Sequence, residues 1–211
     1  MKRILMLGLG LMLFTQGVQA QFMSSNVELG VQTAEVNGDQ TTALRLGLRN
    51  FYLHVANTEL ANGQQAASIG PELYIPIIGR RIRARHPERL GLTLQGYARA
   101  GSFYDDDANP LEPYVVRYGG NLHLHKGVAL GRLMVIPRGT WGYYRNNNYD
   151  EDANLLAKSS YRNVQFAVKG GFRIGRKATL AAEWSTAKTK NRDTDQTTAA
   201  SAWMFSLLFR R

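Results

Sequence analysis

The chain has 211 residues, no cysteine, 20% charged residues and a formal net charge of +10. The missing cysteines exclude a disulfide framework, and the length suits one domain rather than several. A positive excess of this size can signal nucleic acid, but the first twenty residues argue against that partner.

Lys2 and Arg3 precede the apolar run ILMLGLGLMLF, which passes into TQGVQA. A basic start, a short apolar stretch and a small residue at the break form the pattern of a cleaved secretory signal, residues 1–20, with cleavage after Ala20. The run is too short for a spanning helix, which takes about 20 residues. Removing Lys2 and Arg3 takes the charge from +10 to +8. The exported part, residues 21–211, therefore stays basic in a place where nucleic acid is rarely met.

Beyond residue 20 no stretch carries apolar residues at helical spacing. A two-residue alternation recurs instead, which puts neighbouring side chains on opposite faces of a strand. In chain order the expected strands are 25–36, 41–50, 51–59, 67–78, 89–104, 112–125, 131–144, 159–174, 178–190 and 198–210. The segment NVQFAVKGGFRI shows the pattern well, with Val164, Phe166, Val168, Phe172 and Ile174 set against Asn163, Gln165, Lys169 and Arg173. The connections NGDQ, ELANGQQA, DDDANPLEP, RNNNYDEDANLLAKS and NRDTDQTT are polar and mostly long, whereas RN, HKGVALG and GRK are short. Long loops on one side and short turns on the other fit an all-β, closed antiparallel transmembrane β-barrel in the outer membrane, with long loops outward and short turns toward the periplasm. Ten strands are expected, eight and twelve being the alternatives, and the long segment 79–89 on the turn side is the exception.

Each strand should then have one apolar and one mixed face. The apolar set holds Val27, Leu29, Val31, Leu44, Leu46, Leu48, Leu73, Ile75, Ile77, Leu90, Leu92, Leu94, Leu122, Leu124, Leu133, Val135, Trp203, Phe205, Leu207 and Phe209. The opposite face holds Glu28, Arg45, Arg49, His54, Glu72, Gln95, Arg99, Arg117, Asn121, His123, Arg138, Gln165, Lys169 and Glu183. A secreted soluble barrel would bury the apolar set in a core, and a membrane barrel would turn it to lipid. The signal, the missing helices, the loop alternation and the aromatic strand ends favour lipid.

A small barrel has a narrow interior filled by side chains. Buried carboxylates are tolerated when cations pair with them, so Glu28, Glu72 and Glu183 are expected to meet Arg45, Arg99, Arg117, Arg138 and Lys169 in a lumen charge network, either as a plug or gate or as plain filling. Tyr118, Trp141 and Tyr143 near the loop ends, with Phe172 and Phe209 near the turn ends, sketch two aromatic girdles. Acidic residues collect in or beside the long loops, at Asp39, Glu59, Asp105, Asp106, Asp107, Glu112, Asp150, Glu151, Asp152, Asp193 and Asp195. The turn side carries Arg80, Arg81, Arg83, Arg85, Arg89, Lys126, Arg176, Lys177, Arg210 and Arg211. Such acidic loops could hold divalent cations through oxygen ligands, but they lack an EF-hand-like spacing; they are read as solvated loops, and no metal or cofactor is expected.

Parity also places four cations on the lipid face at the loop end: Lys158, Arg162, Lys188 and Lys190. The short turn at 175–177 should set Arg162 opposite Lys190, and like charges so placed repel. Phosphates of lipid A would relieve that, which makes lipopolysaccharide the expected partner alongside outer-membrane lipid; simple snorkelling into the headgroup layer is the competing account.

The order of NVELGVQ, LGLRNFYLHVANTE, SIGPELYIPI, LTLQGYARAG, YVVRYGGNLHL, NVQFAVKGGFRI and ATLAAEWS resembles that of the YfaZ-like outer-membrane proteins of Gram-negative bacteria. The resemblance covers most of residues 21–211 and implies an outer-membrane barrel with no catalytic residues to carry over. Barrels of this kind usually end on an aromatic residue that the insertion machinery reads. Here Arg210 and Arg211 follow Phe209, so the alternation Trp203, Phe205, Leu207, Phe209 would be that signal shifted by two. Outer-membrane enzymes pair a nucleophile with a base within hydrogen-bond reach, and no local spacing here offers such a pair. No enzymatic activity is expected; Asn121, His123 and His125 would be the candidates otherwise. The expected role is that of a monomeric structural or interaction barrel that contacts lipopolysaccharide, the alternative being a narrow pore for small solutes or ions.

Overall fold

The computed structural model describes residues 27–36, 38–61, 63–78, 90–104, 110–150, 152–174 and 177–209. The expected signal at 1–20, the basic segment 79–89 and the acidic Asp105, Asp106 and Asp107 lie outside them. No helix among the described residues is long and apolar enough to cross a membrane, a statement that leaves strands untouched.

Eleven strands follow one another: β1 Val27–Val36, β2 Asp39–Leu48, β3 Phe51–Glu59, β4 Gln65–Ile78, β5 Leu90–Tyr104, β6 Pro110–Lys126, β7 Val128–Leu130, β8 Leu133–Tyr149, β9 Leu155–Arg173, β10 Ala178–Asn191 and β11 Thr197–Phe209. Each pairs antiparallel with its neighbour in the chain except β6 with β7, and β1 pairs with β11 from Val27 opposite Phe209 to Glu35 opposite Ser201, which closes the ring. The three-residue β7 only lines the first turn of the β8 edge, since β6 pairs directly with β8 from Tyr114–Tyr149 to His125–Arg138. The result is a closed antiparallel barrel of ten strands.

Three local expectations need correction. The stretch HKGVALG is not all turn, because Val128–Leu130 folds back on Val135, Met134 and Leu133. Most of RNNNYDEDANLLAKS is strand rather than loop, because β8 and β9 stay paired as far as Tyr149 and Leu155. Arg49 is not on the inner face; it stands in the two-residue β2–β3 turn with φ 58°, the left-handed conformation of a tight hairpin, and is exposed.

The alternation sorts the faces throughout. Val27, Leu29 and Val31 of β1, Leu44, Leu46 and Leu48 of β2, and Trp203, Phe205 and Phe209 of β11 are all exposed, while Glu28, Arg45, Met204 and Ser206 between them are buried. A soluble protein seldom exposes a contiguous apolar belt of this extent. Strands tilted by about 40° climb roughly 2.5 Å per residue, so ten residues cross the roughly 25 Å apolar band of a membrane barrel. β1, β2 and β3 have 10, 10 and 9 residues and do no more than cross it, whereas β6, β8 and β9 have 17, 17 and 19. The turn ends are level, with Leu133 opposite Phe172 and Val27 opposite Leu48, so the surplus stands on the loop side as a wall over part of the rim.

Candidate functional site

The inner face carries a layer of charged side chains at mid-height. Glu72, from β4, is 3% exposed and accepts four donors: Arg45 Nη2 at 3.1 Å, Arg99 Nη2 at 2.5 Å, the Tyr74 hydroxyl at 3.1 Å and Gln95 Nε2 at 3.2 Å. Arg45 also lies 4.0 Å over the ring of Tyr52. Glu28 takes Lys169 Nζ at 2.8 Å and the Tyr52 hydroxyl at 3.0 Å, and Arg138 reaches Glu183 at 2.6 Å. A belt of amide, imidazole and hydroxyl groups continues from Gln95, whose Oε1 accepts from Asn121 Nδ2 at 2.7 Å and lies 2.9 Å from His123 Nε2; His123 Nδ1 is 2.8 Å from the Thr140 hydroxyl.

Seven of the eight residues expected in the lumen network thus stand in ion pairs. Arg117 does not: its Nε donates to Asn146 Oδ1 at 2.9 Å and its guanidinium lies 4.9 Å from the Tyr144 ring centroid, without a carboxylate partner among the described residues. Sequence reasoning missed Tyr52 and Tyr74, because a tyrosine on an inner face looks like any other strand aromatic until its hydroxyl is seen on a carboxylate. Of the three enzyme candidates, Asn121 and His123 belong to the Gln95 belt. His125 is buried nearer the turn end, opposite Arg138.

Below this layer, toward the turns, Met134, Ile136, Ala181 and Leu208 pack together inside the barrel. They escaped notice because they break the rule that the inner face is polar: each sits between two lipid-facing apolar residues, as Met134 does between Leu133 and Val135. Above the layer the interior opens into a cavity of about 490 Å³, floored by His54, Arg99 and Arg117 and walled by alanines together with serine, threonine, asparagine and glutamine side chains. The lumen is therefore an open vestibule over a middle filled by paired charges and a small apolar cluster.

The outer face has its own concavity, a groove of about 610 Å³ between β5, β6 and β8. Gly120 leaves it hollow, Leu94, Leu122 and Trp141 give it an apolar bed, and Tyr118, Tyr143, Arg145 and Arg162 stand around it. Arg162 is directly opposite Tyr143, and Arg145 Nε donates to the Tyr143 hydroxyl at 3.0 Å. The Arg192 guanidinium is 6.0 Å from the same ring. Counted from the turn end at Leu133, Trp141 and Tyr143 fall near the outer limit of the apolar band.

The four cations assigned to this face from parity lie on it at the loop end. Arg162 is opposite Lys190, and Lys188 is opposite Val164. Lys190 already pairs with Asp195 at 2.6 Å, so its repulsion with Arg162 has an internal remedy. Lys158 is opposite Asn147, higher on the wall. Arg145, which shares the parity of Trp141 and Tyr143, was overlooked because its segment passed for loop. In the β8–β9 loop both Asp150 oxygens are occupied by Asn154, through N at 2.7 Å and Nδ2 at 3.0 Å, and these bonds hold the carboxyl below the usual aspartate range.

No protein-family model matches the chain, and no curated protein matches it. Solved structures do. The β-domain of the Bordetella autotransporter BrkA is 8% identical over 88% of this chain and 98% of its own, with a TM-score of 0.50. The outer-membrane protease OmpT from Escherichia coli is 8% identical over 87% and 94% with a TM-score of 0.33, and the outer-membrane protein Omp33 of Acinetobacter baumannii is 8% identical over 90% and 100% with a TM-score of 0.31. At such identities the likeness is one of fold, and the first of them carries it.

Proposed function

We propose that the chain is an integral outer-membrane barrel with a stoppered lumen, whose role is structural or interactive and which holds lipopolysaccharide against its outer face. The order of its strand segments supports placing it beside the YfaZ-like barrels. One observation carries the reading of a stopper: Glu28, Glu72 and Glu183 are each buried on a cation, beside and above the apolar cluster of Met134, Ile136, Ala181 and Leu208, with Glu28 opposite Leu208 and Lys169 opposite Ile136. Water-filled pores keep a polar, open interior; here charge and hydrocarbon both fill the bore. Contact with lipopolysaccharide is supported by the outer groove, where an acyl chain has Leu94, Leu122 and Trp141 to lie on and a phosphate has Arg145 and Arg162 as donors.

The test has two arms. In planar bilayers the protein should show no steady conductance. Arg145→Gln with Arg162→Gln should lower the lipopolysaccharide that co-purifies and remove its thermal stabilisation, leaving the lipid-free protein as stable as its parent. Unchanged lipid stoichiometry would return these arginines to simple snorkelling, and steady conductance would replace the stopper with a pore.

A further inference from the structure

The vestibule carries more positive charge than its walls explain. At mid-barrel five cations, Arg45, Arg99, Arg117, Arg138 and Lys169, face three carboxylates, Glu28, Glu72 and Glu183, and the surplus of two lies on one side. Glu28 is matched by Lys169 and Glu183 by Arg138. Glu72 alone must serve both Arg45 and Arg99, and Arg117 has only an amide oxygen and a ring.

Arg99, Arg117 and His54 are also the residues that floor the cavity. His54 is 4% exposed, and its Nδ1 is buried without a hydrogen-bond partner, as is Arg99 Nε. Those two nitrogens lie behind the wall, out of a guest's reach, so it is the cation surplus in a low-dielectric wall that favours a guest bringing negative charge. Above that floor Ala34, Ala43 and Ala56 form an apolar patch, with Gln32, Thr41, Thr58 and Ser68 beside it. The volume lies within the range of small-molecule sites, and the entrance is from the loop side because the bore is stoppered below.

We infer that the vestibule is a binding site for a small organic carboxylate with a compact apolar body, its carboxylate on Arg117 and Arg99 and its body against the alanine wall. Arg117 is the principal anion donor, since Arg99 is already shared with Glu72. A metal cation is disfavoured by the same surplus. The site goes beyond the lipopolysaccharide reading and lies on the opposite face of the wall.

The full-length exported chain, folded in zwitterionic micelles, is titrated with 4-fluorobenzoate and followed by fluorine NMR, with 4-fluorobenzamide as the neutral isostere. The acid should bind, and the amide should bind at least about tenfold more weakly, as expected for loss of a charge-assisted contact. Arg117→Gln should weaken the acid by about tenfold or more and leave the amide unchanged. Ala34→Leu, which fills the wall without touching the charges, should weaken both and keeps the test alive if Arg117→Gln does not fold; retention of the heat-modifiable gel band certifies each variant. Equal binding of acid and amide overturns the proposal, as does undiminished acid binding in folded Arg117→Gln or Ala34→Leu. Absence of acid binding at millimolar concentration overturns it as well, and displacement of the acid by equimolar inorganic phosphate overturns the requirement for an apolar body.

Discussion

Replacing Glu72 by alanine removes the one carboxylate on which Arg45, Arg99, Tyr74 and Gln95 converge. Arg45 is about as buried as its partner, with a side-chain exposure of 10% against 3%, and Arg99 keeps 25%. Arg45 therefore bears most of the penalty, because it loses its directly bonded counter-ion where water cannot replace one. Breaking a buried pair from one side costs about 3–5 kcal/mol, which at about 1.4 kcal/mol per tenfold lowers the folding constant by roughly two to three and a half decades. Urea titration in micelles, read both by tryptophan fluorescence and by the heat-modifiable gel band, measures this. A double replacement with Arg99→Met should lose less than the sum of the single losses, because the second change removes a charge the first had stranded. A Glu72→Ala midpoint indistinguishable from the parent's, with additive double-mutant losses, would mean that the layer is wet and the pairing energetically idle.

Glu183→Ala strands Arg138 in the same way and should lower the unfolding midpoint or open a measurable conductance; no change in either would remove this pair from the stopper. Gly70→Ala would drive a methyl group into the backbone of Ala98 and Arg99, which cannot yield, and should abolish the folded gel band, while Gly96→Ala on the open outer face should shift stability by less than about 0.5 kcal/mol; equal behaviour of the two would refute the register between β4 and β5. Cysteine at Thr194, in the β10–β11 loop, should label on intact cells, and cysteine at Arg132, in the β7–β8 turn, only after lysis; the reverse pattern would turn the barrel over. Hydrogen bonds from Asn154 lower the pKa of Asp150, so their contribution to the loop is complete above the ordinary aspartate range and disappears as pH falls through the lowered value. The protection factor of the Asn154 amide, its exchange rate relative to the unprotected rate at the same pH, should drop only at acidic pH, and a protection factor that does not change with pH would contradict the capping.

Side-chain parity was legible because it needs only a period of two: Leu44, Leu46 and Leu48 could not share a face with Arg45. Lumen pairing was legible at the level of sign, since inward carboxylates among inward cations have few other options. Which cation meets which carboxylate depends on register and tilt, and so Arg117 was grouped with the paired arginines when it is the one left over. The apolar stopper was illegible for a related reason. Where the inner face turns apolar, as at Met134 and Ile136, the alternation fades into a continuous run, and a run has no parity to read. Strand ends failed where polar residues stay paired in water: Asn146, Asn147 and Asn148 have turn-like composition, yet they remain in the ladder because each has a partner on β6 and on β9.

The unequal heights of the strands have a consequence for how the molecule is met from outside. A wall of β6, β8 and β9 rises roughly 20 Å above the level at which β1, β2 and β3 stop, taking about 2.5 Å per surplus residue. The mouth of the vestibule is therefore slanted, shaded on one flank and lowest over the β1–β2 hairpin. From the loop side a small molecule reaches the vestibule most directly over the β1–β2 hairpin, whereas a bulky body meets the β8–β9 hairpin before it meets that one.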